Sequence, residues 1–493
     1  MPEKRSDRPN ILFIFTDQHR LSAAGCYGDT PCRTPNLDRL AEEGVRFENA
    51  YTTFPVCSPA RGTIQTGLFP HGHGVTANIH EVGCSVHELQ DHPTRLPRRL
   101  QAAGYSTGYT GKWHLGTTKE TTFHGPNTPT LPSDLGYEGQ DFPGHGGAGY
   151  HYEDYQNWLA ERGQELKTKP WEERTKRIRG GVGELDMPTE ATVPAYLVDR
   201  TIDLVEEFQG RGRPFFMNLN FWGPHGPYHA TREFLDLYRH VEIPPWPSYE
   251  WASRTTEGPH HLKVHWDRED FSWEDWAMAI RYYYARASMI DSQIGRLIDY
   301  LREGGLLEET VVIFTADHGE TLGSHGGLLD KGWHHFEEIQ RVPMIVRAPG
   351  AGGAGTVRGE FASLADIYPT LLDLAGAEPP DYKLHGRSLM PLVSGEDVEW
   401  RDAVVTEFLG LGSVPTCMKT IRMGNLKYGY NGPFPGELYD LEADPAESNN
   451  LIDDPAYAED LRRLQGRLDR WMEQTEDPAR RMYRWHRRIS PEG

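Results

Sequence analysis

The sequence predicts an α/β fold, with a large, mostly parallel or mixed sheet sandwiched by helices and a smaller antiparallel-sheet-plus-helix subdomain at the carboxyl end. Three observations carry this. Apolar runs of strand length, such as "NILFIF" and "TVVIF", read as strands buried on both faces. Helix-period segments alternate with them, as parallel strands with crossover helices require. Over the last hundred or so residues the pattern changes to short runs broken by Gly, Pro and Asn turns.

Taken in order, "NILFIFTD" is a strand ending in Asp17 and "TPNLDRLAEEG" a helix. "TRLPRRLQAAG" is a helix before "GYSTGYTGKWHLG", a strand leading to Lys112 and His114. The helix "YLVDRTIDLVEEF" precedes "PFFMNLNFWGPHGP", which leads to His225, and "ASMIDSQIGRLIDYLREGG" precedes "TVVIFTADHGE", which ends in Asp317 and His318. Polar groups just past the carboxyl ends of parallel strands gather at one sheet edge, so these acids, the lysine and the histidines are expected to converge. Read singly, an Asp after a strand is a turn former or helix cap; four complementary strand ends together point to chemistry.

The boundary between the two parts falls near residue 395, after "LHGRSLMPLVSGE", giving a catalytic unit over 1–395 and a subdomain over 396–493. There "AVVTEF", "CMKTIRMGNLKYGYN" and "GELYDLEADP" read as antiparallel strands. Leu461, Leu464, Leu468, Trp471 and Met472 form one apolar helix stripe, expected to pack on them. The stretches 117–195 and 239–280 read as insertions that wall a site or join subunits. Their aromatics, among them Tyr150, Tyr152, Tyr155, Trp246, Trp251 and Trp266, read first as packing groups.

With 37% hydrophobic residues and a net charge of −21, the chain reads as a soluble globular protein. That charge argues against nonspecific nucleic-acid binding and against an anionic membrane surface. Five cysteines, Cys26, Cys32, Cys57, Cys84 and Cys417, lack CxxC spacing, so neither a disulfide scaffold nor a zinc module is indicated. A reduced compartment fits. The first ten residues hold no apolar core, and the expectation is a cytoplasmic protein.

"PVCSPARGTIQTG" places Cys57 at a helix start. Ser58 is the expected cap and Pro59 the first helical residue, which puts Cys57 just outside the positive end of the helix dipole. At helical spacing Arg61 turns back toward the same end, where it would hold a nucleophile or an anionic ester. On its own, Cys57 reads first as a small buried residue before an ordinary helix.

Together these segments resemble the formylglycine-dependent sulfatases of the alkaline-phosphatase superfamily. "CSPAR" is similar to their CxPxR maturation motif and "GYSTGYTGKWHLG" to their second signature, with "TDQ", "PHGP", "TADHGE", "DKGWHHFEEIQRVP" and "ELYDLEADP" following in the family's order. The resemblance implies that a formylglycine-generating enzyme oxidises Cys57, kept accessible for it, to an aldehyde whose hydrate is the nucleophile. It implies one divalent metal at Asp17, Gln18, Cys57, Asp317 and His318, with Ca²⁺ first and Mn²⁺ or Mg²⁺ as alternatives. Many relatives carry Asp where Gln18 stands and Asn where His318 stands. One negative charge is thereby lost and an imidazole nitrogen gained, which favours Mn²⁺.

The resemblance further implies that Lys112 and Lys331 counter charge on the sulfuryl oxygens, that Arg61 and Asp317 align and activate the nucleophile, and that His225 is the general acid. His114 would assist breakdown of the sulfated intermediate, and Asn78 would touch a substrate oxygen. His71, His73, His334 and His335 remain without a role. The expected partner is a small or oligosaccharide sulfate ester, and a homo-oligomer is possible. One alternative is a phosphonate monoester or phosphodiester hydrolase of the same superfamily, suggested by Gln18 and His318 and opposed by Lys112 and His114. Another is a noncatalytic binding protein on the same fold.

Overall fold

The computed structural model describes residues 8–79, 81, 83–117, 130–142, 144–170, 181–250, 271–411 and 414–489; Trp251 and Trp266 lie outside them. Its main sheet has eight strands in the order β11-β2-β10-β9-β1-β7-β3-β4. These are β1 (Asn10–Asp17), β2 (Val45–Tyr51), β3 (Ser106–Gly111), β4 (Glu138–Gly139), β7 (Phe215–Pro224), β9 (Thr310–Ala316), β10 (Met344–Arg347) and β11 (Thr356–Ser363). A ribbon of β5 (Thr168–Pro170), β6 (Val182–Leu185) and β8 (Tyr228–Thr231) lies apart from it. Only β10 runs against its neighbours β2 and β9; the other pairings in the main sheet are parallel.

The apolar runs explain why this sheet is internal. In β1, Ile11, Phe13 and Phe15 enter one core while Leu12 and Ile14 enter the other, so both faces are covered. The Leu12 face carries helices Val193–Gly210 and Trp273–Glu303. The Phe13 face carries Cys57–Thr66, Leu96–Ala102 and Ile367–Ala375. The expected fold class is therefore the observed one.

Strands β12 (Val404–Leu411), β13 (Val414–Met423), β14 (Leu426–Asn431) and β15 (Phe434–Asp440) form a separate antiparallel sheet. Helix Ala458–Gln474 buries Leu461, Leu464, Leu468 and Met472 against Ile421, Tyr428 and Leu438, as its stripe predicts. Trp471, half-buried beside that stripe, also meets Phe69 edge-on at 4.9 Å.

A buried charge cluster ties this sheet to the segment after Cys57. Lys419 Nζ donates to Glu407 at 2.6 Å and pairs with Asp477 at 2.7 Å, while His71 Nδ1 reaches Glu407 at 2.8 Å. Removing one partner from such a cluster strands a buried charge, at a cost of about 3–5 kcal/mol. His71 thus finds a role in the junction. His335 does likewise, bonded to Asn431 Oδ1 at 2.7 Å. Among the described residues no helix is long and apolar enough to cross a membrane.

Candidate active site

Four adjacent strands, β9, β1, β7 and β3, end side by side and deliver Asp317, Asp17, His225 and Lys112 to one edge. Gly111 makes the last possible: its φ is +91°, and a Cβ there would lie 1.8 Å from the Asn220 carbonyl oxygen of β7. Cys57 arrives on the first turn of helix Cys57–Thr66.

That helix corrects two expectations. It begins at Cys57 with Val56 as N-cap, not at Pro59, because the Ser58 hydroxyl donates to the His114 carbonyl at 2.7 Å instead of capping. Asn78 does the capping from a distance: its Oδ1 accepts from Ser58 N at 3.3 Å while its Nδ2 donates to Glu81 at 3.1 Å. Both ends of the amide are thus engaged within the chain, the oxygen at the helix start and the nitrogen at Glu81. Cys57 itself is 1% exposed, not accessible as expected, because the strand-edge residues close around it.

Around Cys57, Sγ lies 3.4 Å from Asp17 Oδ1, 3.4 Å from His318 Nε2 and 3.0 Å from Lys331 Nζ. Donor atoms of Asp17, Cys57, Asp317 and His318 all fall within 4.8 Å of one another, and all four residues are buried. His318 Nδ1 donates to the Gly319 carbonyl at 2.9 Å, which turns Nε2 into the cluster. Asp317 Oδ1 accepts from the backbone N–H of Gln18 and of His318, each at 2.9 Å. Gln18 adds its Oε1, 3.0 Å from Lys331 Nζ. Two carboxylates, an imidazole and an amide oxygen, buried together, fit a divalent cation.

The electrostatics agree with that fit. Burial and then Asp17 push Asp317 up to about 6, the crowding of two carboxylates that a cation relieves. Burial also opposes ionisation of Asp17, but Lys112, His225, Lys331 and Arg61 outweigh it and hold that carboxyl well below its usual range. Burial and Asp17 raise the Cys57 thiol, yet Lys112, Lys331 and His318 prevail and bring it down to about 5. The pocket at position 57 therefore stabilises an anion.

Lys112 Nζ contacts Asp17 Oδ2, and both side chains are fully buried. The Arg61 guanidinium donates to Asp317 Oδ2 at 3.0 Å, to the Lys112 carbonyl at 3.0 Å and to Asn220 Oδ1 at 3.1 Å. Through these bonds it braces the strand ends and fixes Asp317, and its charge also acts on Cys57.

Above the cluster stand three histidines. His225 Nδ1 donates to the Gly226 carbonyl at 2.7 Å, leaving Nε2 buried without a partner among the described residues. Burial and then Lys331 hold His225 well below the ordinary imidazole range, with Asp17 opposing. His145 was not anticipated. Its ring centroid lies 4.8 Å from that of His225 and 5.2 Å from that of His114. One donor atom each of His145, His225 and Asp17 lie within 4.8 Å of one another. His145 Nε2 is likewise buried without a partner among the described residues, and the Trp222 indole anchors its carbonyl at 2.5 Å. Its setting in "PGHGGAG" offers no spacing that marks it in sequence.

The insertion aromatics among the described residues pack, as expected. Tyr152 lies tilted against Phe142 with ring centroids 4.1 Å apart, Tyr155 lies against Tyr196 at 5.5 Å, and Trp246 covers the Arg20 guanidinium at 4.3 Å.

A family model described as Sulfatase matches residues 9–377, and one described as N-sulphoglucosamine sulphohydrolase, C-terminal, matches residues 323–474. Choline-sulfatase of Rhizobium meliloti (strain 1021) is 30% identical over 465 residues, covering 91% of this chain and 83% of the relative. N-acetylglucosamine-6-O-sulfatase of Bacteroides thetaiotaomicron is 27% identical, covering 97% and 88%. Among solved structures, phosphonate monoester hydrolase of Agrobacterium radiobacter superposes with a TM-score of 0.80 at 27% identity, covering 96% of this chain and 97% of that one.

Proposed function

The chain belongs to the sulfatase family, and from that premise we propose that it hydrolyses carbohydrate sulfate esters through position 57 and one divalent cation. The observation that carries this reading is Cys57, set within 3.4 Å of Asp17 Oδ1 and of His318 Nε2 and within 3.0 Å of Lys331 Nζ. A carbohydrate leaving group takes support from the relative named N-acetylglucosamine-6-O-sulfatase.

Asp17, Gln18, Asp317, His318 and the side chain at position 57 would hold the cation, which supplies fixed positive charge to the sulfuryl oxygens. The inward-facing His318 nitrogen favours Mn²⁺ over Ca²⁺. Oxidation of Cys57 to formylglycine supplies the hydrated aldehyde as nucleophile. Because Cys57 is buried, we place that conversion before the fold closes, by a formylglycine-generating enzyme acting on the open chain.

Lys112 and Lys331 bind the sulfuryl oxygens as point charges and exchange no protons with them. Arg61 is a positioning residue that fixes Asp317. His225 directs Nε2 at the leaving oxygen, and His114 takes a proton from the second hydroxyl of the hydrate as the sulfated intermediate breaks down. His145 donates a hydrogen bond to a sulfuryl oxygen. His145→Ala is then expected to lower kcat/KM on the order of 10–100-fold, the worth of one hydrogen bond to a charged group. The loss should be equal across leaving groups and accompanied by weaker inhibition by inorganic sulfate. Unchanged sulfate inhibition would remove His145 from the site.

Two measurements test the reading as a whole. Intact mass should show a deficit of roughly 18 Da from conversion of the thiol to an aldehyde. Turnover of an aryl sulfate should exceed that of a phenyl phosphonate monoester. The reverse order would favour the phosphonate hydrolase reading, which Gln18, His318 and the 0.80 TM-score support. No turnover of either, with Cys57 unconverted, would favour a binding protein.

A further inference from the structure

Gln18 has a setting that the proposed metal site does not by itself require. Its backbone is left-handed, with φ at +60°, and its side chain is buried. The Tyr283 hydroxyl donates to its carbonyl at 2.6 Å, so the residue is held at both backbone ends. Its amide nitrogen donates to two carboxylates at once, Glu320 Oε2 and Asp330 Oδ1, the latter at 2.9 Å.

Those two acceptors are themselves fixed. Glu320 Oε1 accepts from Leu322 N at 3.1 Å and from Asp330 N at 2.5 Å, and Tyr228 OH donates to Glu320 Oε2 at 3.0 Å. Asp330 has φ at +81° and is fully buried. An amide has chemically different ends, and this pair can accept only from the nitrogen end. The oxygen end is thereby turned toward Lys331, whose ammonium also contacts Cys57 Sγ at 3.0 Å.

We infer that Glu320 and Asp330 are positioning residues that select a carboxamide over a carboxylate at position 18 and aim its oxygen at the cation. The inference rests on the metal site proposed above. A glutamate side chain in place of Gln18 would have nearly the same shape, but one of its oxygens would face two carboxylate oxygens in a buried site, where repulsion is poorly screened. The side chain would leave the cluster or lose its acceptor oxygen.

The test is Mn²⁺ affinity of the full-length protein after chelation, read from the electron paramagnetic resonance signal of free Mn²⁺, with no activity needed. Gln18→Glu is expected to weaken binding by at least about ten-fold. Adding Glu320→Gln supplies a donor amide opposite the introduced carboxylate, and should restore most of that loss. Adding Asp330→Asn should restore it in the same way. Restoration by a second change is not what a merely structural role predicts, since two damaging changes would then add.

Wild-type affinity in Gln18→Glu, or double variants no tighter than the single one, would overturn the inference. Should Gln18→Glu alone fail to fold, the double variants are expected to fold and hold Mn²⁺, and their failure to fold would also overturn it. A wild-type protein that binds no Mn²⁺, Ca²⁺ or Mg²⁺ would instead sink the metal site itself.

Discussion

Cys57→Ala is expected to abolish turnover of aryl and sugar sulfates, a loss on the order of 10⁴–10⁶-fold in kcat, while the protein stays folded and still binds one divalent cation. The change removes the only covalent nucleophile of the proposed mechanism. It leaves Asp17, Gln18, Asp317 and His318 in place, held by backbone bonds that do not involve Sγ. Lys331 keeps its contact to Gln18 Oε1 at 3.0 Å, so no buried ammonium is orphaned. The measurement pairs kcat on an aryl sulfate with metal content and thermal unfolding of the same preparation. Substantial activity in a sample free of wild-type protein would sink the covalent mechanism, and loss of the fold would show that Sγ serves structure. Cys57→Ser should behave as the alanine variant does unless the expression host oxidises serine.

Sequence made the sheet legible because a strand buried on both faces must be continuously apolar, and β1 and β9 are. The convergence of Asp17, Lys112, His225 and Asp317 followed from parallel strands ending on one side. What the sequence left out has physical causes. Ser58 looked like a cap, but a hydroxyl takes the acceptor that tertiary structure offers, here the His114 carbonyl. Helical spacing turns Arg61 toward the Cys57 end of its helix, but only the fold shows that its guanidinium is tied to Asp317 Oδ2 at 3.0 Å. Glu320 and Asp330 belonged to recognised stretches, yet only the fold reveals that both meet one amide nitrogen. His145 lies in a glycine-rich insertion with no period, and its placement depends on Trp222 and the two histidines it packs between.

His225→Ala is expected to act chiefly on esters with poor leaving groups. If His225 Nε2 protonates the departing oxygen, its loss matters most for sugar and alkyl esters, whose alkoxides leave badly. It matters little for activated aryl sulfates, whose phenolates leave without a proton. A general acid contributes about 10²–10⁴-fold, so the loss on a sugar sulfate should be plain and the dependence of rate on leaving-group pKa should steepen. The geometry supports this: Nδ1 is committed to Gly226, and Nε2 is the buried atom left to face a ligand. Burial and then Lys331 weigh the other way, since both disfavour the charged imidazole that a donor at Nε2 requires. An approaching ester brings negative charge, which favours protonation of a neighbouring imidazole. The experiment is a matched series of aryl sulfates extended to a sugar sulfate, run where chemistry limits the rate. An equal loss across the series, with unchanged slope, would assign His225 to holding a sulfuryl oxygen beside His145 and would leave the leaving group to depart without a protein acid.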